Sequence, residues 1–328
     1  MVMTMDAAAA GTSPAEDRIE TVAVPVPEDA RLIGALLEAA AREDGREAVS
    51  EQGRLHLRAE RAGVRHLLQH DGYGTLIGYA QLDGSAAGEA PTAELVVDPA
   101  HRGRGHGRLL AEAVLKESGG AVRAWAHGGH PAARHLADVL DLELFRELRQ
   151  LRRPLPDTAE ELEAELPQPA LPDGVAVRTF RPGADDQAWL RLNAAAFAHH
   201  PEQGAWTERD LAERIAEPWF DPAGFFLAVR STAGGEALVG FHWTKVHPRT
   251  PGQEQVGEVY VLGVDPAEQG SGLGRALTAV GLRHLAADRG LRAAILYVDA
   301  DNPAALRVYE RMGFSVHEVD LMYRTRSV

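Results

Sequence analysis

A glycine-punctuated loop is the first feature of this sequence that could do chemistry. Residues 269–274, Gln-Gly-Ser-Gly-Leu-Gly, lie between a predicted strand and the start of a predicted helix. Glycines let the backbone approach a ligand closely, and the first turn of a helix offers unpaired N–H groups and a positive dipole end to an anion. The loop is therefore a candidate pyrophosphate site, although similar loops also close turns without binding anything. It is not a Walker A loop, because Lys and Ser/Thr do not follow its last glycine.

The same loop occurs twice in the chain. Residues 94–110 (ELVVDPAHRGRGHGRLL) and 261–277 (VLGVDPAEQGSGLGRAL) align without a gap, at an offset of 167 residues. Each segment has an apolar run that ends in Asp-Pro, then a turn, a glycine loop and an apolar pattern with helical spacing. The repeat predicts two strand–loop–helix units and hence two tandem domains of similar fold.

The elements predicted around the second loop follow the order β α β β β α β α β, which indicates a mixed α/β domain. The first half repeats this order less clearly, with a helix over 30–41 and strands near 64–69, 76–82 and 94–97. The proline-rich, acidic segment 152–172 is the predicted linker, able to form at most a short exposed helix. The predicted organisation is a disordered tail at 1–20, one domain at 21–151, the linker, and a second domain at 173–328.

Composition excludes several classes of function. The 328 residues include 48 Asp and Glu against 34 Lys and Arg, a formal charge of -14 that disfavours binding to nucleic acid or to anionic membranes. There is no cysteine, which excludes disulfides, cysteine-ligated metals and a thiol nucleophile. Without a secretory signal or a run of about 18 apolar residues, the expected location is the cytoplasm.

A second motif follows the glycine loop by about thirty residues. Residues 302–314 read Asn-Pro-Ala-Ala-Leu-Arg-Val-Tyr-Glu-Arg-Met-Gly-Phe. Together with the loop, this segment resembles the acetyl-CoA signature of the GCN5-related N-acetyltransferases (GNAT family), over residues 21–150 and 173–328. The resemblance implies two tandem GNAT domains, each with a central mixed, mostly antiparallel sheet flanked by helices. It also implies acetyl-CoA as the cosubstrate.

Acetyl transfer from a thioester to an amine needs a neutral amine, stabilisation of the developing oxyanion and a proton for the departing thiolate. Glu258, at the start of the strand before the loop, could take the amine proton directly or through water. Alternation along that strand predicts that Glu258 shares one face with Tyr260, Leu262 and Val264. Tyr309 could serve as the acid; the alternatives are a surface carboxylate for Glu258 and a packing role for Tyr309.

The resemblance also implies which residues bind each substrate. Backbone amides of Leu262, Gly263 and Val264 would hold the acetyl and pantetheine part, with Gly263 permitting close approach. The remaining acetyl-CoA residues of the second domain are Gln269, Gly270, Ser271, Gly272, Leu273, Gly274, Arg275, Asn302, Pro303, Ala304, Ala305, Leu306 and Arg307.

Segments 197–206, 241–248, 257–266 and 295–314 match a branch of the family with tandem domains, which implies a small-molecule acceptor. The resemblance implies that this acceptor would be the cysteinyl amine of a cysteinyl-glucosaminyl-inositol, with Glu51, Glu202, Lys245, Glu258 and Tyr297 as its expected contacts. Another small amine, such as an aminoglycoside or a polyamine, or a protein N-terminus, stays open as the acceptor. A non-catalytic acetyl-CoA sensor is the alternative from another class.

The internal repeat predicts that only the second domain is catalytic. Position 258 corresponds to Pro91, and Tyr309 corresponds to Ala137 when Asn302 is aligned with His130. The first domain keeps its glycine loop, so the resemblance implies a second acetyl-CoA site there, formed by Leu95, Val96, Val97, Gly103, Arg104, Gly105, His106, Gly107 and Arg108. No metal is expected, because the adjacent His199 and His200 have no carboxylate at ligand spacing. A monomer is expected.

Overall fold

The computed structural model describes residues 17–86, 88–198, 200–249 and 254–326, without the side chains of Pro201 and Glu202. The chain forms two compact units. The N-terminal unit comprises the residues up to Glu147 together with those from Asp320 onward, and the C-terminal unit comprises Leu148–Val319. In the described residues, no helix is long and apolar enough to cross a membrane.

The helices and strands are numbered here in chain order. In the first part of the chain they are β1 (Arg18–Val22), α1 (Pro27–Asp44), α2 (Glu51–His56), β2 (Val64–His70), β3 (Leu76–Asp83), β4 (Thr92–Val97), α3 (His106–Glu117), β5 (Arg123–Ala126) and α4 (Pro131–Val139). They continue with β6 (Leu142–Pro154), α5 (Ala159–Glu165), β7 (Val175–Thr179), α6 (Asp186–Ala196), α7 (Pro201–Gly204), α8 (Glu208–Ile215), β8 (Phe225–Thr232) and β9 (Gly235–Val246). The last are β10 (Gly257–Val264), α9 (Leu273–Arg283), β11 (Ala293–Asp299), α10 (Pro303–Arg311) and β12 (Ser315–Thr325).

Each unit contains a mixed, mostly antiparallel sheet, as the sequence predicts. In the N-terminal unit β1, β2, β3 and β4 pair antiparallel in that order, and β4 pairs parallel with β5. In the C-terminal unit β7, β8, β9 and β10 pair antiparallel, and β10 pairs parallel with β11. The fold prediction of a mixed α/β protein with two repeated units is confirmed.

The last strand of each sheet comes from an unexpected part of the sequence. Residues 148–154 of β6 pair with β11 in the C-terminal unit, and residues 321–324 of β12 pair with β5 in the N-terminal unit. The start of the predicted linker, Arg152–Pro154, is therefore strand. The rest of it contains the short helix α5, whose first turn is closed by a capping box between Thr158 and Glu161.

The predicted N-terminal tail is three residues too long at its end. Residues 18–20, assigned to the tail, are in β1 because their backbone pairs with residues 68–70 of β2. Residues 1–16 lie outside the described part of the chain.

Helices cover both faces of each sheet because their apolar residues recur at helical spacing. In the N-terminal unit, Ile33, Leu36, Leu37 and Ala40 of α1 pack on one face, and Leu110 and Val114 of α3 pack on the other. In the C-terminal unit, Trp189 and Leu192 of α6 pack among aromatic side chains on one face, and Leu273 and Leu277 of α9 pack on the other. The elements that carry the candidate site are thereby fixed from both sides.

Candidate active site

The centre of the candidate site is a pair of parallel strands that diverge. β10 and β11 pair only at Gly257 with Ala294 and at Glu258 with Ile295. Residues 262–264 remain paired with β9 on the opposite side, and within the described residues their ladder to β11 does not continue. A strand edge without a neighbour presents its N–H and C=O groups to whatever enters the gap. The backbone of Leu262, Gly263 and Val264, predicted to hold acetyl and pantetheine groups, therefore lines an opening in the sheet.

Packing against neighbouring side chains requires a glycine at position 263. A Cβ atom at this position would lie 2.6 Å from two ring carbons of Phe241 and 3.1 Å from the Cβ of Ala196. Contacts under 3.0 Å force a neighbour to move. The Phe241 ring on β9 is thus one reason for glycine at this position, and the close approach of the ligand that the resemblance implies stays a prediction.

A β-bulge lies in the middle of β10. Val259 is opposite Thr244, whereas Val261 is opposite Trp243, so the register shifts and Tyr260 is the extra residue. A bulge places two residues of one strand against a single residue of its partner and so interrupts the alternation of faces. Tyr260 and Val261 consequently pack in the same aromatic core.

The bulge makes one sequence prediction wrong. Tyr260 packs on the α6 side of the sheet, but Leu262 and Val264 pack against α9 on the opposite side. Glu258 pairs with Lys245, whose Nζ lies over the Tyr260 ring, so Glu258 shares its face with Tyr260. The predicted common face of Glu258 with Leu262 and Val264 does not exist, because strict alternation ends at the extra residue.

Glu258 is a buried carboxylate at the point where the strands diverge. The residue is 7% exposed. Its Oε2 lies 2.7 Å from Nε2 of His247, a residue that the sequence analysis did not single out. A buried carboxylate requires a hydrogen-bond partner, and the imidazole provides one. The alternative interpretation of Glu258 as a solvated carboxylate at a strand end is wrong.

Lys245, near the end of β9, is also buried. The residue is 8% exposed, and its Nζ lies 4.6 Å from the ring centroid of Trp219 and 5.0 Å from that of Tyr260. Such distances allow cation–π attraction, which is strengthened by removal of water. Lys245 therefore places a positive charge directly across the ladder from Glu258.

The glycine loop of the C-terminal unit has the geometry of an anion site. Gly270 and Gly272 have φ of +83° and +85°, a conformation that strongly favours glycine, and a Cβ atom at either would meet nothing within 4 Å. The first amide bonded within α9 is that of Ala276, which donates to Gly272 O. The amides of Gly274 and Arg275 thus precede the regular helix bonds and can donate to a phosphate. The side chain of Leu273 is fully buried, and its amide donates to the Ser271 hydroxyl oxygen at 3.3 Å.

Asn302 and Tyr309 occupy the start and the end of α10. The Oδ1 atom of Asn302 accepts a hydrogen bond of 3.0 Å from the amide of Ala305, so this side chain caps the helix. Tyr309 is half-buried and packs edge-on against Phe314, with ring centroids 5.9 Å apart. Burial raises the pKa of Tyr309 to about 12, so its phenol keeps the proton at neutral pH. Leu306 is buried, and Pro303, Ala304 and Arg307 are exposed.

The other predicted acceptor contacts are only partly described. Tyr297 is 41% exposed, and its hydroxyl is 2.7 Å from Nε2 of Gln150, which sequence analysis missed because Gln150 lies in the preceding half of the sequence. The side chain of Glu202 lies outside the described part of the structure. Glu51 begins α2 of the N-terminal unit and is half-buried; its role remains a prediction.

His199 lies outside the described residues, and His200 has a carboxylate partner. His200 Nε2 is 3.4 Å from Asp299 Oδ2, a tertiary contact that sequence spacing could not show. Among the described residues, no cluster of three His, Cys, Asp or Glu side chains could hold a metal ion.

The N-terminal unit repeats the glycine loop and the diverging strands. β4 and β5 pair only at Thr92 with Arg123 and at Ala93 with Ala124, and residues 95–97 follow this point. Gly103 and Gly105 have φ of +73° and +91°. The predicted second acetyl-CoA site, which includes Leu95, Val96 and Val97, therefore shares the diverging strands and the positive-φ glycines of the first, while β4 has no bulge and the side chain of Val96 packs in the core.

Sequence analysis missed a buried carboxylate in the N-terminal unit. Glu94 on β4 is 6% exposed and lies 2.7 Å from Nε2 of His127, whose Nδ1 is 3.4 Å from Asp320. Burial opposes protonation of His127, but its interactions with Asp320 and Glu94 prevail and raise its pKa to about 10. The residue equivalent to Tyr309 is Ala137, which is buried and has no phenol.

The geometry and the comparisons with known proteins agree on the class of protein. The sequence model of the Acetyltransferase (GNAT) family matches residues 31–138 and 188–314, one match in each half. The chain belongs to the GNAT family and is an acetyl-CoA-dependent acyltransferase. Its similar relatives include the mycothiol acetyltransferase of Streptomyces avermitilis, 65% identical with coverage of 94% of this chain and 96% of the relative. The mycothiol acetyltransferase of Streptomyces coelicolor is 63% identical with the same coverage.

Solved structures show the same tandem architecture at low sequence identity. A tandem GNAT protein from the clavulanic acid biosynthesis pathway has a TM-score of 0.69 at 19% identity and covers 94% of this chain and 98% of its own. A GCN5-related N-acetyltransferase from Sphaerobacter thermophilus has a TM-score of 0.64 at 24% identity, with coverage of 94% and 95%. These similarities support the fold.

Proposed function

We propose that the chain transfers the acetyl group of acetyl-CoA to the cysteinyl amine of cysteinyl-glucosaminyl-inositol, the desacetyl form of mycothiol. The observation that carries this proposal is the buried Glu258 carboxylate beside the opening between β10 and β11. Relatives that are 61% to 65% identical over about 94% of the chain are named mycothiol acetyltransferase, which supports the acceptor. The chemistry is a direct attack of the amine on the thioester, without a covalent enzyme intermediate.

Acetyl-CoA fits the residues around this opening. The amides of Gly274 and Arg275 and the open space around Gly270 suit its pyrophosphate, and the edge of residues 262–264 suits its pantetheine and acetyl groups. Bound acetyl-CoA supplies an activated thioester carbonyl. No metal is needed for this step, because the chain offers its own hydrogen-bond donors and its own base.

Glu258 is the proposed base. Its burial places the carboxylate in an environment of low dielectric, where it interacts strongly with a nearby ammonium group. It takes a proton from the acceptor nitrogen, directly or through one water, as the C–N bond forms. Lys245 lies across the ladder from Glu258. Its positive charge disfavours the protonated form of an acceptor amine nearby and so favours the neutral amine.

Tyr309 is the proposed donor to the leaving sulfur. Full proton transfer from a phenol with pKa of about 12 to a thiolate whose conjugate acid has a pKa of about 8.5 is uphill by about 5 kcal/mol. A hydrogen bond from the phenol to the developing thiolate is therefore favoured over complete transfer, and solvent can protonate the released thiolate. This refines the acid role expected from the sequence.

The N-terminal unit is proposed to bind acetyl-CoA without turnover. Its glycine loop and diverging strands match those of the C-terminal unit, but Ala137 supplies no phenol. The chain is further proposed to act as a monomer and in the cytoplasm.

Release of free CoA with purified acceptor tests the proposed function. Wild-type protein is compared with Glu258→Gln and Tyr309→Phe, with an aminoglycoside, a polyamine and a peptide as competing acceptors. Turnover with cysteinyl-glucosaminyl-inositol that falls in both variants is expected. Turnover confined to another amine would overturn the acceptor assignment, and acetyl-CoA binding without any turnover would favour the sensor.

A further inference from the structure

His247 contacts the proposed base, and nothing in the sequence analysis gave it a role. Its Nε2 is 2.7 Å from Oε2 of Glu258. The Glu258 side chain is 9% exposed, whereas the His247 side chain is 32% exposed. An ionised carboxylate only accepts hydrogen bonds, so Nε2 of His247 carries the proton and donates it.

The backbone around His247 holds this side chain in place. The His247 amide donates to the carbonyl oxygen of Val256 at 3.0 Å, and Nε2 of Gln255 donates to the carbonyl oxygen of His247 at 2.8 Å. Both backbone polar groups of the residue are therefore bonded across the connection that leads into β10. The imidazole starts from a fixed backbone, which lowers the entropy cost of aligning its hydrogen bond.

The bond uses only one oxygen of the carboxylate. Within the described part of the chain, His247 bonds Oε2 of Glu258 and no hydrogen bond reaches Oε1. Lys245 is the other charged group that faces Glu258 across the sheet, and its ammonium lies over aromatic rings. Oε1 is therefore the atom left to accept a proton.

The N-terminal unit provides the contrast. There Glu94 also bonds a histidine at 2.7 Å, but Ser50 donates to Oε1 from its amide at 2.8 Å and to Oε2 from its hydroxyl at 3.0 Å. Both oxygens of Glu94 are engaged by the protein itself. A carboxylate held in this way is structural, whereas Glu258 is held by one oxygen.

We propose that His247 is a positioning residue for acetyl transfer, which fixes Oε2 of Glu258 and turns Oε1 toward the acceptor amine. The inference rests on the proposed function, since it assigns Glu258 as the base. His247 itself does not contact either substrate. It holds the carboxylate in one rotamer, so that the proton moves from the amine nitrogen to Oε1.

Three variants of the full-length protein test this role. His247→Ala removes the donor, His247→Gln keeps an Nε2–H donor of similar reach, and His101→Ala removes a comparable half-exposed histidine that bonds Asp98 at 3.0 Å. A hydrogen bond to a charged group contributes about 1.5–3 kcal/mol, so kcat of His247→Ala should fall about 10- to 150-fold. The KM for acetyl-CoA should stay unchanged. His247→Gln should recover most of the rate, added imidazole should partly restore His247→Ala, and His101→Ala should match the wild type.

Two results would overturn the positioning role. One is an unchanged kcat in His247→Ala, and the other is an equal loss in the Ala and Gln variants with no response to imidazole. Thermal melting of each variant identifies losses of kcat that come from unfolding. If His247→Ala is unfolded, the comparison of His247→Gln with the wild type decides the outcome. Wild-type protein that does not use cysteinyl-glucosaminyl-inositol refutes the acceptor instead, and the variants are compared on whichever amine it acetylates.

Discussion

Replacing Tyr309 by Phe should separate the role of the phenol in catalysis from its role in packing. The ring contact with Phe314 is kept by Phe, so the free energy of unfolding should change by less than about 1 kcal/mol. In the proposed mechanism, the lost group is a donor to a sulfur that becomes negative in the transition state. A hydrogen bond to a charged group contributes about 1.5–3 kcal/mol, which corresponds to a fall in kcat of about 10- to 150-fold.

The pH dependence sharpens this prediction. Because burial raises the pKa of Tyr309 to about 12, the phenol stays protonated up to pH 10 and produces no basic limb of kcat below that pH. The assay is CoA release at saturating acetyl-CoA between pH 6 and pH 10, with Tyr323→Phe as a control for loss of another half-buried phenol. A basic limb near pH 9 that disappears in Tyr309→Phe would refute the reasoning, as would an unchanged kcat.

Two further predictions concern stability. Gly263→Ala should lower the free energy of unfolding by about 1–3 kcal/mol, because the new Cβ would lie 2.6 Å from the Phe241 ring. Gly274→Ala, whose Cβ has its nearest neighbour at 3.6 Å, is the matched control and should be neutral or stabilising in urea titrations; equal losses would contradict the packing argument. The raised pKa of His127, about 10 in the folded state against about 6.5 unfolded, should add up to about 5 kcal/mol of stability that is fully present below pH 6.5 and lost as pH rises through 10. Melting curves of wild type and His127→Gln should therefore converge toward pH 10, and a constant difference between them would refute this linkage.

The repeat and the family signature were readable from local sequence. A strand that ends in Asp-Pro, a glycine loop and an amphipathic helix are each set by residues close together in the chain. The positive φ values of Gly270 and Gly272 follow directly from this local pattern. The capping role of Asn302 is equally local, because it spans one turn of helix.

The contacts around Glu258, the proposed base, depend on distant pairings. The side of the sheet to which each residue after Glu258 points depends on the bulge at Tyr260. This bulge is a property of the pairing between β10 and β9, so the sequence of β10 alone does not show it. His247 reaches Glu258 because the chain doubles back between β9 and β10. Neither event leaves a signal in the spacing of residues along the sequence.

The sequence by itself determined the class of chemistry, the repeat and which half carries the candidate base and phenol. It did so because glycine loops and helix caps are local and because the two halves can be compared position by position. Only the tertiary structure decided that residues 148–154 and 321–324 complete the two sheets, that Glu258 is buried against His247, and that Glu94 is fully bonded. These features depend on strand pairing between distant residues, where burial and register, rather than local propensity, select the partner.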